Sequence, residues 1–223
     1  MYQDTALTGT DGVLLLRGLA MTLFVFATRF LAGSLIGFAL ALVRQARIRV
    51  LAPLAAVYVE LFRDSPLLVQ LFLVYFGVPM LAGIQFSPLA AGLLTLSVNT
   101  SAFMAVILQS AIEEVPHGQW EAARASALGY LRIMRHVVLP QAMRSAIPPT
   151  ISLAVGQLQV SSLVSIIGVL DLTKAGTILN LRTLAPFAVW PLVGVGYFAI
   201  SKPLSMLADH AERRLASNSG DRR

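Results

Sequence analysis

The chain has 223 residues, 57% of them hydrophobic and only 13% charged, and its mean hydropathy of +0.75 lies outside the range of a soluble globular domain. It carries no cysteine, which excludes disulfides, thiolate metal sites and cysteine nucleophiles, and its three histidines, His117, His136 and His210, are too scattered for a metal cluster. The net charge of +6 would suit a polyanion, yet the basic side chains fall at the ends of apolar runs, where lipid headgroups account for them and nucleic acid is not needed.

In chain order, the opening MYQDTALTGTDG lacks the basic start of a secretory signal, and the apolar run after it exceeds a signal's hydrophobic stretch, which predicts an uncleaved anchor. Span one is expected from Val13 to about Val43, against the roughly 20 apolar residues that crossing hydrocarbon requires. It ends in Arg44, Arg47 and Arg49, a basic cluster that predicts a cytoplasmic end and an N-terminus outside. Arg17 can snorkel to the outer interface. Arg29 sits near the middle, where insertion costs at least roughly 2.5–3.5 kcal/mol, so it must face protein, water or a partner.

Span two is expected from Pro53 to about Pro79. Glu60 and Arg63 are three apart on one helical face and can pair. Pro66 removes a backbone hydrogen bond and disfavours helix at Ser65, which predicts a break between Asp64 and Pro66. Broken helices persist at membrane depth only where they are buried in protein or line a cavity, so Gln70, just past the break, is a candidate for the translocation path. Span three, from Leu89 to Ile112, adds Asn99 and Ser101 as candidates, although hydrogen bonding between helices predicts the same residues. Span four, from about Ile147 to Leu170, offers Gln157 with Ser161 on one face and Gln159 with Ser162 on another. Span five, from Phe187 to Leu207, gives way to a basic tail over 208–223 that is expected to fray in the cytoplasm. The expected architecture is all-α, about five membrane helices in one domain over 1–223, with the C-terminus inside.

The longest break in the apolar pattern runs from Val115 to Pro149 and holds Glu121, Arg124, Arg132, Arg135 and Arg144, a mostly positive set that predicts a cytoplasmic loop over about 113–145. Glu121 to Ala127 predicts a short helix. Its small residues Ala122, Ala123 and Ala125 would let it seat in a partner's groove, and Glu121 near its start would favour the positive helix end. Arg132 and Arg135 belong to a second short helix that Pro140 is expected to close.

Within this loop Gly118-Gln119-Trp120-Glu121-Ala122-Ala123, followed by Leu139-Pro140-Gln141-Ala142, resembles the coupling loop of ABC-importer permeases of the polar amino-acid branch, and the stretch 57–79 is similar as well. The resemblance implies the type I importer permease fold, a bacterial cytoplasmic-membrane location, and import of a polar amino acid or related small solute by alternating access. It implies coupling roles for Glu121, Ala122, Ala123, Ala127, Gly129, Leu139 and Pro140, and structural roles for Glu60, Arg63 and Pro66. It also implies three partners beside membrane lipids: ATPase subunits, a second permease subunit and an extracytoplasmic solute-binding protein. No G-x-x-x-x-G-K-[ST] pattern occurs, so ATP and Mg are expected on the ATPase subunits, and no catalytic residue or cofactor is expected here.

Three departures from the family matter. Its loop glycine usually stands where this chain has Ala127, and Gly129 comes two later, which predicts a shifted turn. A usual Glu and Arg in span three read Val106 and Gln109, and a usual Lys-Asp-Thr-Ser-Leu reads Gln159-Val160-Ser161-Ser162-Leu163. A less charged solute, such as a compatible solute or opine, or a second permease subunit that supplies the contacts, fits these losses. A secondary transporter would need acids deep in its spans, and beyond Glu60 and Asp64 none is well placed. An intramembrane enzyme would need a histidine beside its serines, and the predicted spans contain none.

Overall fold

Backbone amides in hydrocarbon must find partners inside their own segment, and the apolar runs of this chain meet that demand as helices. A computed structural model describes residues 9–220. Helix α1 runs Gly9–Gln45, about 55 Å at about 1.5 Å per residue, longer than the hydrocarbon is thick. Its buried face, Gly18, Thr22, Val25, Arg29, Gly33, Gly37 and Ala41, repeats every three or four residues. That face lies against α5, Pro88–Glu113, a helix that starts with the Ser87 hydroxyl accepting from the Ala90 N–H and Pro88 in the first turn. The approach is close because of glycine. A Cβ on Gly33 would fall 2.6 Å from Thr100 Cβ, and one on Gly37 2.7 Å from Met104 Cβ.

Helix α2, Leu51–Asp64, and the segment Leu67–Ala82 meet at 105°, the break expected at Pro66. The segment comprises α3, Leu67–Phe72, a wide π turn over Leu73–Gly77, and α4, Val78–Ala82, ended by Gly83 in the left-handed region at φ 68°. The wide turn has a local cause. Pro79 lacks an N–H, and the Val78 N–H reaches back five residues to the Leu73 carbonyl. The same device recurs ahead of Pro140, where α7, Tyr130–Ile133, passes through a π turn over Met134–Val138 into α8, Leu139–Val160. The Leu139 N–H there bonds the Met134 carbonyl. Helix α6, His117–Ala125, precedes this unit, and α9, Leu172–Thr183, and α10, Pro186–Gly220, follow it.

Three of these helices, α1, α5 and α10, are long and apolar enough to cross a membrane, and the bent pair makes a fourth if taken as one span. With α8, whose 22 residues reach about 33 Å at about 1.5 Å each, they form the expected all-helical body. The expected span four differs at both ends. Pro140 opens α8 in its first turn, where a missing N–H costs nothing, rather than closing the loop before it. At the other end the helix stops at Val160, not Leu170. Ser161–Ser165 is a 3₁₀ turn, the Ser161 hydroxyl donates to the Leu158 carbonyl, and Gly168 at φ 96° redirects the chain. The Ser161 N–H still bonds the Gln157 carbonyl in the α-helical pattern, so Gln157 and Ser161 share a buried face as expected, while Gln159 is exposed and Ser162, in the 3₁₀ turn, is half-buried. The tail also differs: α10 stays helical to Gly220, and residues 221–223 lie outside those described.

At one end of the body, a buried cluster of Ala41, Leu108, Ile112, Val115, Ala123, Ile133, Met134 and Val138 ties α1 and α5 to α6, α7 and the turn into α8. At the other end the Asp171 carboxylate accepts from the Lys174 N–H and the Tyr197 hydroxyl, and Arg182 pairs with Asp11, which ties α9 to α10 and α1.

Candidate functional site

The charged loop forms one mechanical unit with two sides. Pro116 sets up α6, which begins at His117, so Glu121 falls mid-helix rather than at the positive start that the sequence predicted. Glu121, Ala122, Arg124 and Ala125 are exposed, whereas Ala123, only 7% exposed, turns inward into the cluster with Val115, Ile133 and Met134. Of the three alanines expected to seat in a groove, Ala122 and Ala125 face outward and Ala123 holds the helix to its own protein. The Leu128 N–H bonds the Ala123 carbonyl, and Trp120 stacks on Tyr130 with ring centroids 6.4 Å apart. Burial pushes the Tyr130 phenol above its ordinary pKa.

The turn between α6 and α7 is not shifted. Ala127 occupies the left-handed region at φ 55°, and Gly129 has an ordinary extended backbone at φ −70°, ψ 155°. The residue six after Glu121 thus keeps the conformation that favours glycine, although an alanine occupies it. An L-residue there costs roughly 1 kcal/mol. Gly129 instead starts α7, its carbonyl accepting from the Arg132 and Ile133 N–H groups. Leu139 is half-buried and Pro140 exposed. Beside α6 an open groove of about 550 Å³, lined by Arg47, Glu113, His117, Glu121 and Arg124, runs between the exposed flank of the helix and the end of α1.

Two polar clusters lie within the membrane body. The first closes the break in the bent pair. Pro66 cannot give the Phe62 carbonyl its helical N–H, and that carbonyl accepts from Gln70 Nε2 and Asn99 Nδ2, each at 2.9 Å. Gln70 Nε2 also lies 3.1 Å from the Ser65 carbonyl and 2.8 Å from Ser65 Oγ, which itself donates to the Leu61 carbonyl. Ser101 Oγ donates to the Val98 carbonyl at 2.7 Å and meets the Tyr58 hydroxyl at 2.8 Å. Glu60 and Arg63 do not form that pair. Arg63 instead holds the neighbouring Asp64 through Nε at 2.9 Å and Nη2 at 3.3 Å, because the adjacent carboxylate meets both donors at once.

The second cluster centres on Arg29, which is fully buried as the cost of a mid-span charge demands. Arg29 Nη1 donates to Gln157 Oε1 at 2.9 Å, and Thr100 Oγ1 lies 3.4 Å from that same oxygen. Arg29 Nε and Nη2 meet no hydrogen-bond partner. Of the seven candidate path residues, Gln70, Asn99, Ser101, Gln157 and Ser161 are buried with polar atoms engaged inside the protein, Ser162 is half-buried, and Gln159 is exposed. The sequence reading passed over the Gly33-x-x-x-Gly37 spacing, the signal for the α1–α5 contact that brings Arg29 to this place. Among the described residues no group of three His, Asp or Glu could hold a metal ion.

Residues 31–217 match the family described as "Binding-protein-dependent transport system inner membrane component". The chain is 34% identical to the probable amino-acid ABC transporter permease protein YckA of Bacillus subtilis (strain 168), over 90% of this chain and 88% of that one. It is 37% identical to the probable glutamine ABC transporter permease protein GlnM of the same organism, over 83% and 86%. Among solved structures it resembles a chain of an amino acid ABC transporter with histidines, at TM-score 0.85 and 33% identity, over 94% of this chain and 99% of that one. A chain of the MetNI methionine ABC transporter, at TM-score 0.69 and 22% identity over 92% and 99%, shares the fold. The helical body, the two-sided loop unit and these matches make the chain a member of the binding-protein-dependent inner membrane components, the permease subunits of ABC transporters.

Proposed function

We propose that this subunit imports a polar amino acid across the bacterial inner membrane, powered by separate ATPase subunits that bind ATP and Mg. The substrate class rests on the names of its relatives, amino-acid and glutamine permeases. The observation that carries the drive mechanism is the two-sidedness of α6. Its outer face offers Glu121, Ala122 and Ala125 to a partner, and its inner residue Ala123 joins the cluster that grips α1 and α5. A push on the outer face reaches the bundle through packed side chains and through the unbroken run from α7 to α8. Glu121, Ala122, Ala123, Ala127, Gly129, Leu139 and Pro140 then act as one coupling unit.

Solute would pass along α8. Its exposed stripe Ser152, Gly156 and Gln159 carries no large apolar side chain, unlike a lipid-facing surface, so the stripe fits a water path beside a second permease subunit. A solute-binding protein would deliver from outside, where we place the N-terminus; the basic ends of α1 and α10 and the loop unit would face the cytoplasm. The lack of charge at Val106, Gln109 and Gln159 favours a less charged solute as the second reading.

Glu121→Lys tests the mechanism. ATP-dependent uptake into proteoliposomes holding the complete transporter should fall at least tenfold with membrane insertion unchanged. Undiminished uptake by the variant would contradict the coupling role.

A further inference from the structure

We propose that the unpartnered edge of the Arg29 guanidinium is a carboxylate site, and that its ligand is the α-carboxylate of the transported amino acid. This assignment rests on the amino-acid reading above and deepens it. The two unpartnered donors, Nε and Nη2, form one edge of the planar guanidinium, and they point the way a carboxylate's two oxygens accept. The chain shows the pairing elsewhere: Arg63 holds Asp64 through the same Nε and Nη2 atoms.

Among the described residues no acid bonds that edge. Helix α1 carries only Asp11, eighteen positions away and about 27 Å at about 1.5 Å per residue; α5 carries only Glu113 at its far end; α8 carries none. The neighbours that reach Arg29, Gln157 and Thr100, are neutral. A buried cation without a counter-ion costs several kcal/mol, so a state of the transporter that supplies an anion would be strongly favoured over this one.

Gln157 is 6% exposed and stands between Arg29 and the rest of α8, whereas its neighbour Gly156 is exposed about 100° further round the helix. A solute on the proposed path stripe therefore reaches Arg29 only when the Gln157 side chain moves. Gln157 Oε1 now takes one guanidinium donor as a neutral acceptor. Rotation of its carboxamide would open the site, and an arriving carboxylate would supply the charge that the carboxamide lacks.

The test uses the permease–ATPase complex in lipid nanodiscs with no solute-binding protein, so that discrimination by that protein does not enter. Labelled L-amino acids are bound, and the tightest is competed with itself and with its α-amide, which keeps the side chain and lacks the carboxylate. The wild type should prefer the acid by about thirtyfold, the range of a charge-assisted pair. Arg29→Gln should bring the two within about threefold, and Arg29→Lys should retain part of the preference. Assembly is checked by size exclusion, and if Arg29→Gln does not assemble, Arg29→Lys together with Gln157→Leu decides. An unchanged preference in Arg29→Gln overturns the proposal, as does an assembled Arg29→Lys with no preference at all. Equal wild-type affinity for acid and amide overturns the carboxylate site alone, whereas a wild type that binds no amino acid overturns the amino-acid reading beneath it. Loss of assembly in Arg29→Gln with the acid preference intact in Gln157→Leu and absent from Arg29→Lys assigns the edge to a partner subunit's acid and also overturns it.

Discussion

The junction at Pro66 and the contact around Arg29 are both polar clusters wedged between helices of the same membrane body, and they are completed to opposite degrees. At Pro66 the carbonyl freed by the proline takes two amide donors, and the serine beside it takes another. Around Arg29 one nitrogen is engaged and two are left over. Hydrocarbon supplies no water to make good such a deficit, so the contrast separates two uses of polar residues. A completed cluster holds a shape. An incomplete one stays in a fold when another state of the protein completes it, which is why intramembrane charge reads as function.

Mutation can break that contrast in graded steps. The largest effect is expected from Gln70→Leu combined with Asn99→Leu, which strips the Phe62 and Ser65 carbonyls of their donors while leaving the bend in place. At about 1–3 kcal/mol for each buried group left unpaired, the pair should cost roughly 3–5 kcal/mol, read as a fall in the thermal midpoint of the purified protein in detergent. A midpoint equal to the wild type would show that the bend needs no side-chain support.

Arg29→Met should behave in the opposite way. Replacing a buried, half-paired charge by an apolar side chain of similar length is expected to leave stability within about 1 kcal/mol or raise it, while uptake is lost. Equal destabilisation by Arg29→Met and by the Gln70 and Asn99 pair would erase the distinction between the clusters. Gln157→Leu should cost less than the Gln70 and Asn99 pair, about 1–2 kcal/mol, because it removes one bond from a group already short of partners. The smallest effect lies outside both clusters. Ala127→Gly relieves the left-handed backbone between α6 and α7 and should stabilise by up to about 1 kcal/mol, read by the same thermal scan, with uptake retained. Destabilisation would mean that the methyl group has a contact worth more than the strain.

Much of this was legible in the sequence, for reasons that differ from residue to residue. The long apolar runs and the break before Pro66 follow from local rules, since hydrocarbon length and a missing N–H act where the residues stand. That Arg29 avoids lipid follows from its cost, and the close α1–α5 contact decides that it faces protein rather than water. What escaped depended on partners distant in the chain or on competition among neighbours. Gln70 read as path, and Asn99 as path or helix support, whereas both amides in fact serve the Phe62 carbonyl, 37 residues before Asn99. Asp64 outcompeted Glu60 for Arg63 by adjacency, a choice that helical spacing does not register. The end of α8 at Val160 hung on serine hydroxyls competing for backbone bonds, where an apolar count still saw a span. The loop turn was read from its glycine, but the fold holds the conformation at Ala127 whatever residue stands there.

The central claim is that work enters this subunit from outside, through α6. Proteoliposomes holding the permease with its ATPase and binding protein should concentrate labelled L-glutamine, or whichever amino acid binds most tightly, only when ATP is supplied on the side that α6 faces. Concentration of the solute by the permease alone, driven by a sodium or proton gradient with no ATPase subunit present, would contradict it.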